Sequence, residues 1–226
     1  LVQTVMGNAK ASECGTSNRY RFPRFFFLYG LILIYFEPSG SGESAGKKSF
    51  RIYMTPYREK IYNNPFRILG VYANASIKDI KANEAKAKAF LNVGKDVTFP
   101  CDFNQIMPSL ERTPEMMESA NAQLTLPNEK IKYALLWFVK VTPLDEIAFN
   151  HLENGNFEHA LNIWRKKVCF SSLLNISTLA LIHGHYLLAI DSIIKMLESE
   201  KHRQDFISSV VDETFQISAE ELIHSF

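Results

Sequence analysis

An all-α fold is the expectation from this sequence, and three observations carry it. From residue 57 onward, apolar side chains recur at three- and four-residue steps, the spacing that lines one face of a helix. The segments so patterned open on helix-start signals: Asn64-Pro65, Ser76 with Asp79, and Thr113-Pro114. A Gly-x-aromatic-x-x-Ala unit then occurs twice, 29 residues apart, between amphipathic stretches. The predicted arrangement is a first helical module over 54–140 followed by antiparallel helical hairpins over 141–226.

Each element has its own signal. Asn64-Pro65 starts a short helix with Phe66, Ile68 and Leu69, because proline lacks the N–H that would go unpaired in the first turn. Gly70 ends it. Ser76 and Asp79 form a capping-box pattern for a second helix. Ile77, Ile80, Ala87 and Leu91 fall on its apolar face, with Lys81, Lys88 and Lys95 at seven-residue steps on a neighbouring stripe. By itself such a stripe is what a solvated helix face looks like. A long connection with Phe99, Pro100, Cys101, Asp102, Phe103 and Pro108 follows. A third helix opens at Thr113-Pro114 with Met116, Met117, Ala120 and Leu124. Pro127 interrupts it, and Ile131, Tyr133, Leu135 and Phe138 are expected to continue the helix beyond.

Composition narrows the function classes. Hydrophobic residues are 46% and charged residues 22%, the mix of an ordinary globular chain. Residues 1–53 carry 7 basic and 3 acidic side chains, 54–140 carry 12 and 9, and 141–226 carry 6 and 12. No concentrated basic face results, so nucleic acid is not an expected partner. Cys14, Cys101 and Cys169 are odd in number, far apart and outside any CxxC pattern, which argues against a disulfide framework or zinc site and for a reducing, cytoplasmic setting. Cys101 and Cys169 are expected as small buried hydrophobes.

The segment 1–53 lacks helical periodicity. Arg19, Arg21 and Arg24 precede an apolar run at 25–36, and a Gly/Ser-rich stretch follows. Three readings remain open: a signal peptide or membrane anchor, a structured element, or a non-native leader upstream of a natural start at Met54. Twelve helical residues span only about 18 Å, short of the about 30 Å of a hydrocarbon core. Membrane association through 25–36 is therefore the alternative to a cytoplasmic chain.

Pro65-Phe66-Arg67-Ile68-Leu69-Gly70-Val71, then Ala75-Ser76, then Ile80-Lys81, closely resembles the start of a J domain, the DnaJ-type co-chaperone module. Ala120, Leu124, Pro127, Lys130 and Tyr133 are similar in order and spacing to that module's last helix and exit. The resemblance covers about residues 62–134. It implies a DnaK-class chaperone as partner, met by the face that carries Lys81, Lys88 and Lys95. It also implies a His-Pro-Asp tripeptide after the second helix, and there this chain departs: gap-free placement puts Asn92-Val93-Gly94 at that point. A J-like fold without J activity is the resulting expectation.

In the second half, Leu144, Ile147, Ala148 and His151 make one predicted helix face, and Phe157, Ala160, Leu161 and Trp164 the next. Gly155, Phe157 and Ala160 are answered by Gly184, Tyr186 and Ala189. Glycine permits the turn, the aromatic plugs the gap, and alanine lets the paired helices approach. This resembles the tetratricopeptide repeat, with departures at Lys167 and Ser172 and a period short of the usual ~34 residues. A further helix is expected over 218–226, and the chain is expected to continue beyond it.

No phosphate loop, GxSxG or HExxH is present. His183 and His185 are two apart, a poor chelating spacing on a helix. Asp145 and Glu146 read as first-turn acids facing the helix dipole. No metal, cofactor or catalytic residue is expected. The chain reads as a non-enzymatic protein–protein interaction module, a degenerate J-like adaptor, with the hairpins offering a groove for a peptide or helix. The rival readings are an active co-chaperone of a DnaK-class ATPase and a helical enzyme of unfamiliar chemistry.

Overall fold

The computed structural model describes residues 55–222 apart from 213, 216 and 219. The expectations for 1–53, its apolar run at 25–36 included, lie outside the described residues, as does most of the helix expected over 218–226. The described part belongs to one compact unit, Met54–Phe226. It is all-α: among the described residues there are ten α-helices, a single 3-10 turn and no strand. In chain order these are α1 (Thr55–Tyr62), α2 (Pro65–Ile68), α3 (Ile77–Leu91), the 3-10 turn Pro100–Asp102, α4 (Pro114–Gln123), α5 (Pro127–Ala134), α6 (Pro143–Glu153), α7 (Phe157–Trp164), α8 (Phe170–His183), α9 (Tyr186–Glu198) and α10 (Glu200–Val210).

The start signals act as their chemistry requires. Asn64 accepts from the Phe66 N–H, and Thr113 from the Met116 N–H, each ahead of a first-turn proline. Ser76 with Asp79 and Thr142 with Asp145 close reciprocal capping boxes. Gly70, Gly155 and Gly184 stand at positive φ, and Gly155 and Gly184 each end the first helix of a hairpin. Their repeat partners match in burial: Ala160 and Ala189 are both fully covered.

Three expectations need correction. Ile77 is the first residue of α3 and is 71% exposed, because the capped helix start projects it beyond the core that takes Ile80 and Ala87. Ile147 is also exposed, while Ala148 and Phe149 turn inward. The helix after Pro127 stops at Ala134, so Phe138 reaches the core from non-helical chain.

That non-helical stretch, 135–141, holds the two halves of the sequence together. The Trp137 indole donates to the Val71 carbonyl at 2.9 Å, and the Ala73 N–H donates to the Phe138 carbonyl at 2.9 Å. Asn74 pairs its side-chain amide with both backbone groups of Lys140, at 2.9 and 3.0 Å. From α8, Asn175 does the same for Val139, at 2.9 Å for each bond. A chain without helical bonds must find partners for its buried N–H and C=O groups, and side-chain amides supply them here. Around it lies one aromatic core: Phe149 is within 4.7–5.6 Å, centroid to centroid, of Tyr72, Phe103, Phe138 and Trp164.

Candidate interaction surface

α3 is the least covered of the helices that precede residue 140. It rests on the core through Ile80 and Ala87, and Asn83 fixes it to the end of α2 by donating to the Gly70 carbonyl at 2.6 Å. The opposite side is open to solvent. Lys81 and Lys95 are exposed. Lys88 is half-buried and engaged, 3.1 Å from Glu84 on its own helix and 3.8 Å from Glu118 on α4. Lys81 and Lys88 lie on α3, whereas Lys95 follows the turn beyond Leu91, so the expected three-lysine stripe ends with the helix, and the charge of Lys88 is partly neutralised within the chain.

Beyond Leu91 the chain turns through Asn92-Val93-Gly94. Asn92 caps α3 by donating its N–H to Lys88, and Gly94 takes φ +68°, closing the turn through backbone groups. All three residues are exposed, Val93 at 67%. The turn thus offers a partner an amide and an isopropyl group, with neither a cation nor a carboxylate.

The connection from 95 to 113 is an organised bracket, which spacing alone did not suggest. Val97, Phe99, Cys101, Phe103 and Met107 are buried. Arg112 reaches inward to the carbonyls of Ile68 and Arg67, both at 2.7 Å, to that of Val97 at 3.1 Å, and to the Asp102 carboxylate. Its guanidinium also lies 4.9 Å from the centre of the Phe99 ring. Arg67, in α2, donates to the Tyr62 carbonyl at 2.8 Å and to those of Pro108 and Asp102. Burial pushes the Arg67 guanidinium below its ordinary value, opposed by the Asp102 charge. Burial pushes the Cys101 thiol up to about 12, so this sulfur behaves as a small apolar side chain.

In the second half, Asp145 is fully buried and does more than face a helix dipole. One oxygen accepts from the backbone N–H groups of Val141 and Thr142 and from the Thr142 hydroxyl. The other accepts from the Trp164 indole at 2.9 Å, from Asn175 at 3.2 Å and from Ser171 at 3.4 Å. Its donors come from α7 and α8 as well as from its own helix start, and this convergence leaves no local trace in the sequence.

The central helix of the hairpin half is covered on all sides by its neighbours. Every residue of α8 from 170 to 182 is buried, and α1, α7, α9 and α10 all pack against it. Among the described residues, no cluster of three or more His, Cys, Asp and Glu side chains could hold a metal, and no helix is long and apolar enough to cross a membrane. His183 and His185 flank the α8–α9 turn, and the Phe157 ring stacks on His183 at 4.2 Å and lies 6.3 Å from His185. No family model, curated protein or solved structure matches the chain.

Proposed function

We propose that the chain is a non-enzymatic protein–protein interaction module, a degenerate J-like adaptor, whose partner is another protein met on the open face of α3 and the turn after it. The observation that carries this is the Asn92-Val93-Gly94 turn: it is exposed where a partner would read it, yet it is closed by backbone bonds and carries no ionisable group. The engagement of Lys88 by Glu84 and Glu118 supports the same reading, because it weakens the basic face that a DnaK-class chaperone would require. The burial of α8 beneath its neighbouring helices supports α3 rather than α8 as the binding face. A reducing cytoplasm fits Cys101 and Cys169, which are unpaired among the described residues.

The rival co-chaperone reading draws on Lys81 on α3 and Lys95 beyond the turn that follows it, both of which stay exposed. A steady-state ATPase assay with a DnaK-class chaperone separates the two. The adaptor reading expects the full chain to leave hydrolysis at its basal rate. A several-fold stimulation, lost on charge reversal at Lys81 and Lys95, establishes the co-chaperone reading instead.

A further inference from the structure

α1 is a short helix laid on α8, the most buried helix of the fold. Its hold is uneven. Ile61 is fully buried and Tyr57 packs against the core at partial exposure. Arg58, by contrast, reaches the C-terminal end of α8, where its Nη2 lies 3.1 Å from the point a β-carbon would occupy on Gly184. Arg58 Nε and His183 Nε2 are both shielded from water, and neither has a hydrogen-bond partner. Each such buried polar group costs about 1–3 kcal/mol. The α1–α8 contact therefore brings two unsatisfied polar groups to one seam, whereas the other shielded atoms without a partner among the described residues are on Arg67, Thr178, His202 and Ser209.

His183 sits on that seam. The Phe157 ring of α7 covers one face of its imidazole. The charged groups acting on it are His185 from the adjoining turn, Arg58 from α1 and Glu158 from α7, with the Tyr186 hydroxyl also at the turn beside Gly184. The geometry points to α1 as a detachable latch over α8, released when the His183 imidazole takes up a proton beside the Arg58 guanidinium. A protonated ring would place an unpaired N–H at the shielded Nε2 and a second cation next to Arg58, and lifting α1 removes both penalties. Release would uncover the face of α8 that α1 occupies in the closed form.

The sign follows from the neutral form being the one that fits. Burial, His185 and Arg58 hold the docked imidazole below its ordinary value of 6.5, against the pull of Glu158. Of these groups Arg58 is the one that α1 carries, and its charge is withdrawn on release, so the undocked state binds more protons, and docking is strongest above about 6.5 and weakens as pH falls. The loss reaches about tenfold in the docking equilibrium for each pKa unit of depression.

Hydrogen exchange of the full chain, read by peptide mass and corrected for intrinsic rates, tests this at about pH 7.5 and about pH 5.5. Peptides over α1 should lose protection on acidification while those over α4 and α5 keep theirs. His183→Gln should abolish the difference, and Arg58→Gln, which removes the facing cation and leaves His183 in place, should reduce it. The latch is overturned if α1 protection does not change with pH, if all helices loosen in parallel, or if either variant keeps the wild-type response.

Discussion

The Arg112 guanidinium grips both carboxylate oxygens of Asp102, and neither side chain reaches solvent beyond 3%. Burying two charges in this way repays its desolvation cost only when the remaining donors and acceptors are also satisfied. Here they are, because Asp102 accepts the Phe99 N–H at 2.9 Å and Arg112 serves three carbonyls besides. Asp102→Ala should lower stability by about 3–5 kcal/mol in urea denaturation. Arg112→Lys should recover little, since an ammonium lacks the planar fork these acceptors need. The paired apolar replacement Asp102→Leu with Arg112→Met should also stay unstable, because it orphans the carbonyls of Ile68, Arg67 and Val97. Wild-type stability in that double variant would show the pair to be dispensable.

Gly70 and Gly94 share the same φ of +68° and should respond very differently to alanine. At Gly70 a β-carbon would fall 2.2 Å from the Phe99 ring, inside the bracket that closes on α2. At Gly94 nothing lies within 4 Å. Gly94→Ala should cost only the left-handed backbone penalty, about 1–2 kcal/mol. Gly70→Ala should cost more than about 4 kcal/mol, in the range reserved for core disruption. Thermal melts of the two variants side by side check the ordering, and equal losses would contradict the close packing of Phe99 on Gly70.

What the sequence revealed divides by range of interaction. The helix starts at Asn64-Pro65, Ser76, Thr113-Pro114 and Pro143 were readable because a cap and its helix are neighbours in the chain. The paired turns at Gly155 and Gly184 were readable because the unit repeats. The bracket over 95–113 was not, since Arg67, Asp102 and Arg112 are joined across as many as 45 residues and charged side chains read as surface until their partners are known. The non-helical stretch around Phe138 was masked by apolar residues spaced as in a helix. The candidate face was legible only as a stripe: Lys81, Lys88 and Lys95 do lie on α3 and its exit, but the tie from Lys88 to Glu118 depends on where α4 packs.

Trp164 was expected at the hairpin interior and is 1% exposed, bonded to Asp145. In a Trp137→Phe background its emission should be blue-shifted relative to indole in water and resistant to quenching by iodide. Trp164→Ala should cost about 3–5 kcal/mol from the cavity alone. A water-like emission maximum would place the ring outside the core.

Asp145 offers the sharpest test of how the second half is joined to the first. The donors to its carboxylate are all neutral groups, and they come from the start of α6, from α7 and from α8, while Asn175 links the same cluster to Val139 in the stretch that crosses from the first half. Asp145→Ala removes the acceptor and leaves the buried indole N–H, one of the two Asn175 amide hydrogens and the backbone N–H groups of Val141 and Thr142 without this partner. Several unsatisfied donors at about 1–3 kcal/mol each exceed what a small helical unit holds in reserve, so this variant should unfold or populate a loosened state. Asp145→Asn keeps one oxygen and the shape but turns an amide N–H toward other donors, and should lose about 2–4 kcal/mol. Trp164→Phe removes only the indole donor. If the carboxylate and the indole act together, Asp145→Asn and Trp164→Phe combined should destabilise by less than the sum of the two, with a coupling of about 0.5–3 kcal/mol. Additivity of the two losses would mean that the Trp164–Asp145 bond contributes nothing and that the hairpin is held by packing alone.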